Sequence, residues 1–553
     1  MTQQTPTAEV SDTPRPGTSR ALVCLVGGLF ATLLGVLPSA WLGTERFTCP
    51  KNVLFHAAAL ATAVACLAWG RRWTLDAVDL SLGVFAGLSL LSALAVAANP
   101  WLTLVSTGVT LSGSMLFLCT RPLAENGRRE AILLAVVLVA GLLALTVLLE
   151  AYGPLKGLST RRAPGGTLGH RNRAAHLLVL SLPVTWLCLT RARRRPMLAV
   201  LLACAMLTGA AVTLTRSRAA WLALLVLGLG MGVAWGLAWH AADATRRRRT
   251  AGFIVALLGG VGVALVMPNT LEWRGSYGDS LRRIGEYEAG SGQGRLVQYG
   301  NTLRMIVDAP LLGVGPGNWP VHYPRYTTRG DPSYNVDAVV PVGSVPQSDW
   351  MGFLAERGLP AMLALALVAG LLLAESWKRA RNEAGPEWGS EALALTAVLA
   401  GLLVMGGVDT VLLTTEGMFF VAVMVGALAR AQREQVVIVP GVARRRAAMV
   451  LVVLLTGGPL VYGAVRGWAR HLVFLEPQTA ERLERASRLD PGGSEARLFL
   501  GSMKARAGQC EEARAILREA RNLFPYSEAP LKIWSQCARS RRDLAREAPL
   551  PVQ

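Results

Sequence analysis

Charge is scarce in this sequence. Asp, Glu, Lys and Arg make up 17% of the 553 residues, against 52% apolar residues and a mean hydropathy of +0.39. So little charge excludes a soluble globular chain of this length. Histidine is rarer still, at 6 residues, and none forms an HExxH array. With no paired-carboxylate spacing either, a metal site is unsupported and no cofactor is expected. No GxxxxGK[ST] stretch occurs, which argues against ATP-driven transport of the P-loop kind. The 8 cysteines include no CxxC pair. Cys24, Cys66, Cys119, Cys188 and Cys204 lie in or beside apolar runs, where a thiol serves as a small apolar side chain.

What the sequence does have is apolar runs of roughly 17–20 residues, each long enough to cross a bilayer as a helix. About thirteen are legible, the sixth and twelfth of them shorter than that length, so the count is good to about one or two. They centre on Ala21–Leu37, Val53–Trp69, Val78–Ala98, Trp101–Cys119, Ala131–Leu149, His176–Leu189, Met197–Leu214, Trp221–Trp239, Gly252–Met267, Leu359–Trp377, Leu393–Val408, Gly417–Leu428 and Ala447–Val465. The expected fold is an all-α polytopic membrane bundle. Residues 1–20 are polar and read as a disordered tail. Residues 21–267 hold the first nine spans, 268–352 a large loop, 353–466 the last four spans, and 470–545 a helical tail.

The net charge of +20 suggests nucleic acid until its placement is followed. Arg71–Arg72, Arg128–Arg129, Arg193–Arg195, Arg246–Arg249, Lys378–Arg379 and Arg444–Arg446 fall in every second gap between apolar runs. That is the positive-inside pattern, so the charge records topology and no nucleic-acid partner is expected. It puts the N-terminus in the cytoplasm. It puts the gaps 43–52, 99–100, 150–175, 215–220, 268–352 and 409–416, and the C-terminal tail, on the opposite face. A disulfide between Cys510 and Cys537 is permitted there.

Two segments depart from the membrane pattern. The loop 268–352 is rich in Gly, Pro, Tyr and Trp, too aromatic for a disordered linker. In the tail, Pro491 and Pro525 lie about 34 residues apart, the tetratricopeptide period. Ala505, Ala513 and Ala520 would let paired helices approach closely. Either as repeats or as a plain helical hairpin, this region reads as a docking module for a protein partner.

Arginine also occurs where the topology rule disfavours it. Lys156, Arg161, Arg162, Arg171 and Arg173 crowd one outer gap, and Arg216 and Arg218 another. The large loop adds Arg274, Arg282, Arg283, Arg295, Arg304, Arg325 and Arg329. Guanidinium groups gathered at a membrane surface suit a diphosphate, although single arginines also snorkel to lipid headgroups.

Several motifs follow in order. Thr215-Arg216 leads into Ser217-Arg218-Ala219-Ala220-Trp221 at the mouth of an apolar helix. Arg295 precedes Pro310-Leu-Leu-Gly313-Val-Gly315-Pro-Gly317, and Leu354-Ala355-Glu356-Arg357-Gly358-Leu359 opens the next span. Over roughly residues 165–430 this order resembles the O-antigen ligase and polymerase family. The resemblance implies inverting, metal-independent transfer of a glycan from an undecaprenyl-diphosphate carrier at the periplasmic face of the bacterial inner membrane. The implied acceptor is lipid A–core, another lipid-linked glycan or a protein. Arg216, Arg218 and Arg295 would hold the diphosphate, whose charge grows as it leaves.

The family's loop carries His-Asn where this chain has Pro346-Gln347-Ser348-Asp349-Trp350. Glutamine cannot take a proton from an acceptor hydroxyl, whereas histidine can. Three possibilities stay open. His322 or Asp349, nearest in sequence, replaces the base; leaving-group stabilisation suffices; or the chain is a non-catalytic assembly member. A polysaccharide transporter is a further alternative, which charge inside the spans would favour. Glu150, Asp409 and Glu416, however, lie at run ends. The topology is checked by a reporter active only in the cytoplasm. Fused after Arg470 it is expected to stay silent, and strong activity there contradicts the arrangement.

Overall fold

A bilayer offers no partner to a bare peptide group, so each apolar run must satisfy its own backbone as a helix. A computed structural model of the protein describes residues 16–69, 73–159, 162–238, 243–273, 275–282, 290–327, 331, 345–382, 386–432, 434–535 and 537. Arg161, Arg274, Arg283 and Arg329 lie outside the described residues, as do most of 1–20 and the end of the tail.

The chain is an all-α polytopic membrane bundle. Its helices are α1 (Pro16–Leu34), α2 (Cys49–Trp69), α3 (Ala77–Ala95), α4 (Pro100–Leu123), α5 (Arg129–Ala151), α6 (Arg171–Arg191), α7 (Arg195–Thr215), α8 (Arg218–Ala238) and α9 (Ala244–Val266). The large loop contributes α10 (Gly290–Asp308). There follow α11 (Asp349–Asn382), α12 (Pro386–Val408), α13 (Thr415–Leu428) and α14 (Val442–Phe474). The tail holds α15 (Ala480–Leu489), α16 (Glu495–Arg506), α17 (Cys510–Leu523) and α18 (Ala529–Ser535).

Among the described residues, nine helical stretches are long and apolar enough to cross a membrane. One of them, Pro100–Ala151, is α4 and α5 joined through a break at Asn126–Gly127. Thr18–Leu34, Arg218–Val233 and α13 are shorter apolar helices. Side-chain caps set several starts: Asp76 and Asp79 form a capping box on α3, and Asn99 caps α4 ahead of Pro100. Small residues bring helices together, as where Gly209 of α7 faces Leu257 and Gly260 of α9 faces Met206. The core is centred on α6, the most enclosed of the long apolar helices.

Charged side chains sort to the two ends of the bundle, where they pair. At one end Arg121 binds Asp76 and Asp79, while Glu391 takes Arg191 at 2.8 Å and Arg430 at 2.7 Å. A two-stranded antiparallel pair lies there, β1 (Trp73–Leu75) against β2 (Val436–Ile438), with Thr74 opposite Val437. At the other end the segments around Asn52, Asn99, Ala151, Arg173, Arg216, Asn318, Asp409 and Glu416 touch one another.

At this second end the loop is locked onto α11. Val314 N donates to Ala355 O at 2.9 Å, Gly315 N to Glu356 O at 3.0 Å, and Leu359 N to Pro310 O at 2.8 Å. Ser92 of α3 joins the pair by donating to Leu312 O at 2.6 Å. Contact this close needs residues without side chains. Gly358 turns left-handed (φ 78°), and a Cβ there would run into Leu311 O. The glycine-rich stretch and the Glu-x-Gly-Leu turn are therefore two halves of one backbone lock. Arg357 fills the space beneath, donating to Ser106 and Thr110 at 3.1 Å each.

The tail packs on the same end. Asn99 Nδ2 donates to Gly492 O at 3.1 Å, Tyr462 to Asp490 at 2.7 Å, and Arg466 pairs with Asp490 at 3.4 Å. Farther along, Tyr526 packs on His322 of the loop, with ring centroids 5.6 Å apart. Cys510 and Cys537 form a disulfide across the last helices, with Cα atoms 5.5 Å apart.

The lock predicts that Gly358→Ala destabilises the fold by on the order of 3 kcal/mol, through a clash and a forced left-handed alanine. A thermal unfolding midpoint in detergent equal to that of the parent would contradict this.

Candidate functional site

The lock fixes one end of α10, and the other end reaches the start of α6. Arg295 lies in the first turns of α10. Its Nε donates to Gln347 Oε1 at 3.1 Å, and its terminal nitrogen is 3.5 Å from Asp409 Oδ2. Gln347 is held on two sides. Its backbone N–H donates to Gln298 Oε1 at 2.7 Å, and Tyr299 Oη lies 3.0 Å from both Gln347 O and Gly407 O. Arg295 is therefore aimed by residues of α10, the loop end and the end of α12 together.

The start of α6 supplies the next shell of polar groups. His170 caps the helix, its Nδ1 accepting from Asn172 N at 3.2 Å. That leaves the proton on Nε2, so His170 presents a donor. Burial, and then Arg173, push its pKa down to about 3, so the ring is neutral. Asn172 Nδ2 donates to Asp409 Oδ2 at 2.7 Å. His176 follows on the same face, with Nε2 3.9 Å from Asp409 Oδ2. It is buried and neither ring nitrogen has a hydrogen-bond partner. Burial raises the pKa of Asp409, but His176, Arg295, Thr410 N–H and Asn172 outweigh it and hold the carboxyl below its ordinary value. Asp409 is thus an anion facing Arg295. Arg173 pairs with Glu416 at 3.0 Å.

Arg171, on another face of the same turn, belongs to a second group. Its guanidinium lies over the Trp273 ring, 4.8 Å from the centroid. Arg216 lies over Trp273 at 4.8 Å and over Tyr277 at 4.0 Å, and donates to Gly275 O at 2.8 Å. Arg162, Arg216 and Arg218 are near enough to repel Arg171 electrostatically. Arg216 also sits in the left-handed region, φ 47°, at the end of α7. A non-glycine residue held so is a mark of a constrained, often functional, position. Four arginines crowd this corner, steadied by aromatic faces.

Arg216 and Arg218 therefore stand in one group and Arg295 in its neighbour, with the α6 start between them. The two residues expected to replace the missing histidine are placed otherwise. Asp349 is fully buried, and its carboxylate accepts the N–H groups of Val411, Leu412 and Leu413 at 2.8, 2.9 and 3.0 Å. It ties the start of α11 to the segment after α12. His322 packs against Tyr526 of the tail beside Arg325. Among the described residues no contact joins it to Arg295, Gln347 or Asp409. For His322, closeness in sequence to Gln347 is not closeness in space.

Asp409, His176, Trp273, Tyr277 and Tyr299 were not singled out for the site from the sequence. A signal existed for Asp409, an acidic residue at the end of an apolar run on the arginine-bearing side. One existed for His176 as well, which with His170 flanks Arg171-Asn172-Arg173 at an outer helix start. Glu150 is structural, accepting the N–H groups of Ser159, Gly165 and Gly166.

No curated protein matches the chain. The segment that carries Arg216, Arg218, Arg295, the lock and Gln347, residues 202–366, matches the family model described as O-antigen ligase, which supports a membrane glycan-transfer role in polysaccharide biosynthesis.

Proposed function

We propose that this chain transfers a glycan from an undecaprenyl-diphosphate carrier to an acceptor at the periplasmic face of the bacterial inner membrane. The observation that carries the proposal is the gathering of Arg162, Arg171, Arg216 and Arg218 beside Arg295 around one helix start. Among the described residues, Asp409 and Glu416 are each already engaged with an arginine, and Asp279 is held by Ser276 on the turn that cradles Arg216. Such a corner favours a multiply charged anion, and guanidinium forks match phosphate oxygens.

In the proposed reaction an acceptor hydroxyl oxygen bonds to the anomeric carbon from the face opposite the diphosphate. The bond from carbon to the diphosphate oxygen breaks, the diphosphate departs with the electron pair, and the hydroxyl proton is released to water. Fixed arginines stabilise the charge that develops on it, without reorganisation at the moment of reaction. His170 presents a neutral donor to the same region. Gln347 is no base; its part is to hold the Arg295 guanidinium. The acceptor is lipid A–core, a second lipid-linked glycan or a protein, and the tail helices are a docking module beside the loop. The N-terminus is cytoplasmic and the tail periplasmic.

One observation favours a second reading, a non-catalytic assembly member: glutamine stands at the family's histidine position. The two readings part under mutation. Arg216→Ala, Arg218→Ala or Arg295→Ala is expected to reduce transfer tenfold or more, since losing a contact to a buried charge costs about 2–5 kcal/mol. The matching Arg→Lys variants should recover only part, as an ammonium keeps the charge and loses the fork. Gln347→Ala is expected to bring a several-fold loss, because the Gln347 side chain holds Arg295, and Gln347→His is expected to keep or raise activity. Product formation at matched membrane levels measures all of these, and full activity in both Arg218→Ala and Arg295→Ala would overturn the diphosphate site.

Asp349→Ala is expected to act on the fold. Stranding three buried N–H groups costs several kcal/mol, at about 1–3 each. Its membrane level and thermal midpoint should fall, while any protein that remains folded transfers with an unchanged pH profile. A shifted profile at normal stability would return Asp349 to the chemistry.

A further inference from the structure

The helix that carries Arg295 has a second face left exposed among the described residues. On one side of α10, Gln298, Asn301, Thr302 and Met305 are buried against the loop and α11. On the other side Leu296, Leu303, Val307 and, just beyond the helix, Leu311 are 51%, 54%, 70% and 68% exposed. At a helical repeat these four positions form one stripe. A soluble loop helix would turn such a stripe inward and its polar residues outward. Here the order is reversed.

Several points of α10 are tied to the ends of membrane helices. Near its start Arg295 lies 3.5 Å from Asp409, just past α12, and midway along it Tyr299 Oη lies 3.0 Å from Gly407 O, next to the last residue of α12. Just past its end, Pro310 O accepts from Leu359 N, where α11 resumes after its break at Gly358. These ties to one membrane surface, spread from Arg295 to Pro310 over about 22 Å at a helical rise, place the helix along that surface. The stripe is also continuous with a lipid-facing one. Leu359, Leu363 and Leu367 of α11 are exposed along one face, and Leu311 lies against Gly358 at its head.

We infer that α10 is an in-plane interfacial helix whose stripe Leu296–Leu303–Val307–Leu311 is seated in the acyl chains of the bilayer leaflet on the loop side. The occupant is bilayer lipid, because the stripe continues the lipid-facing surface of α11. Burial of one apolar face at the headgroup boundary is how such helices bind. The consequence is that the depth of this helix in the leaflet sets the height of Arg295. The inference stands apart from the transferase proposal, since it concerns where the helix lies.

The test uses the full-length chain with a benzophenone-bearing amino acid in place of Leu303 or, separately, Val307. Each protein is purified and reconstituted in vesicles of phosphatidylethanolamine and phosphatidylglycerol that hold no polyprenyl carrier, then irradiated. Phospholipid adducts are measured by mass spectrometry. The same residue in place of Leu363 gives the lipid reference, and in place of Arg488, exposed on α15, the solvent reference. Adduct yields at 303 and 307 are expected within about twofold of the lipid reference, as for any interfacial helix face. Yields nearer to the solvent reference overturn the inference. No transfer is read in these vesicles, so this result and a failure of the transferase proposal are separately visible.

Discussion

Everything at the functional end hangs on the backbone bonds between residues 310–315 and 355–359. Each is worth only about 1 kcal/mol net, yet together they fix where a long loop meets a membrane helix. They hold because Gly313 and Gly358 leave room that any side chain would fill. With that junction set, α10 has its end at α11 and its earlier turns, through Arg295 and Tyr299, at the end of α12. Arg295 then has a defined height and direction above the start of α6. Asp349 makes a parallel tie, clasping the segment after α12. The glycines and the carboxylate of this region serve the chemistry by holding its frame.

The frame carries a lopsided charge. Arginines from the α5–α6 segment, α6, the α7–α8 turn and α10 converge on a small area, where among the described residues Asp409 and Glu416 pair with arginines and Asp279 lies on the turn that cradles Arg216. Like charges held together cost free energy, and the fold offsets some of it by stacking Arg171 and Arg216 on Trp273 and Tyr277. An arrangement that is strained when empty gains most when an anion arrives. That is the physical basis for placing a diphosphate here, and it uses residues of both the matched segment 202–366 and the α6 start outside it.

The membrane helices were legible because hydropathy over a span is a sum that no single residue can hide. Each apolar run read from the sequence overlaps a helix of the bundle, and α11 shows the limit. It begins at Asp349, ahead of its apolar run, because a capping start and a break at Gly358 leave no mark in hydropathy. The arginines were legible as well, since each violates a topology rule. The structure places Asp349 and His322 away from the contacts of the Arg295 guanidinium for a definite reason. Both were chosen by nearness in sequence to Gln347, and the loop folds so that one is sealed by backbone donors and the other faces Tyr526. Asp409 approaches Arg295 from more than a whole membrane helix away in the chain, which no spacing argument reaches. The disulfide between Cys510 and Cys537 was permitted by compartment, and only the packing of the last helices brings the two together.

Glycan transfer from a lipid carrier is a claim about a cell surface, and the most direct measurement is the surface polysaccharide of a strain lacking this chain. The account predicts a defect that the parent sequence restores and the Arg295→Ala form does not. Glycan accumulating on the lipid carrier would mark ligation to an acceptor, and short stubs left on the acceptor would mark polymerisation. An unchanged polysaccharide, in amount and in length, with no glycan held on the carrier, would contradict it.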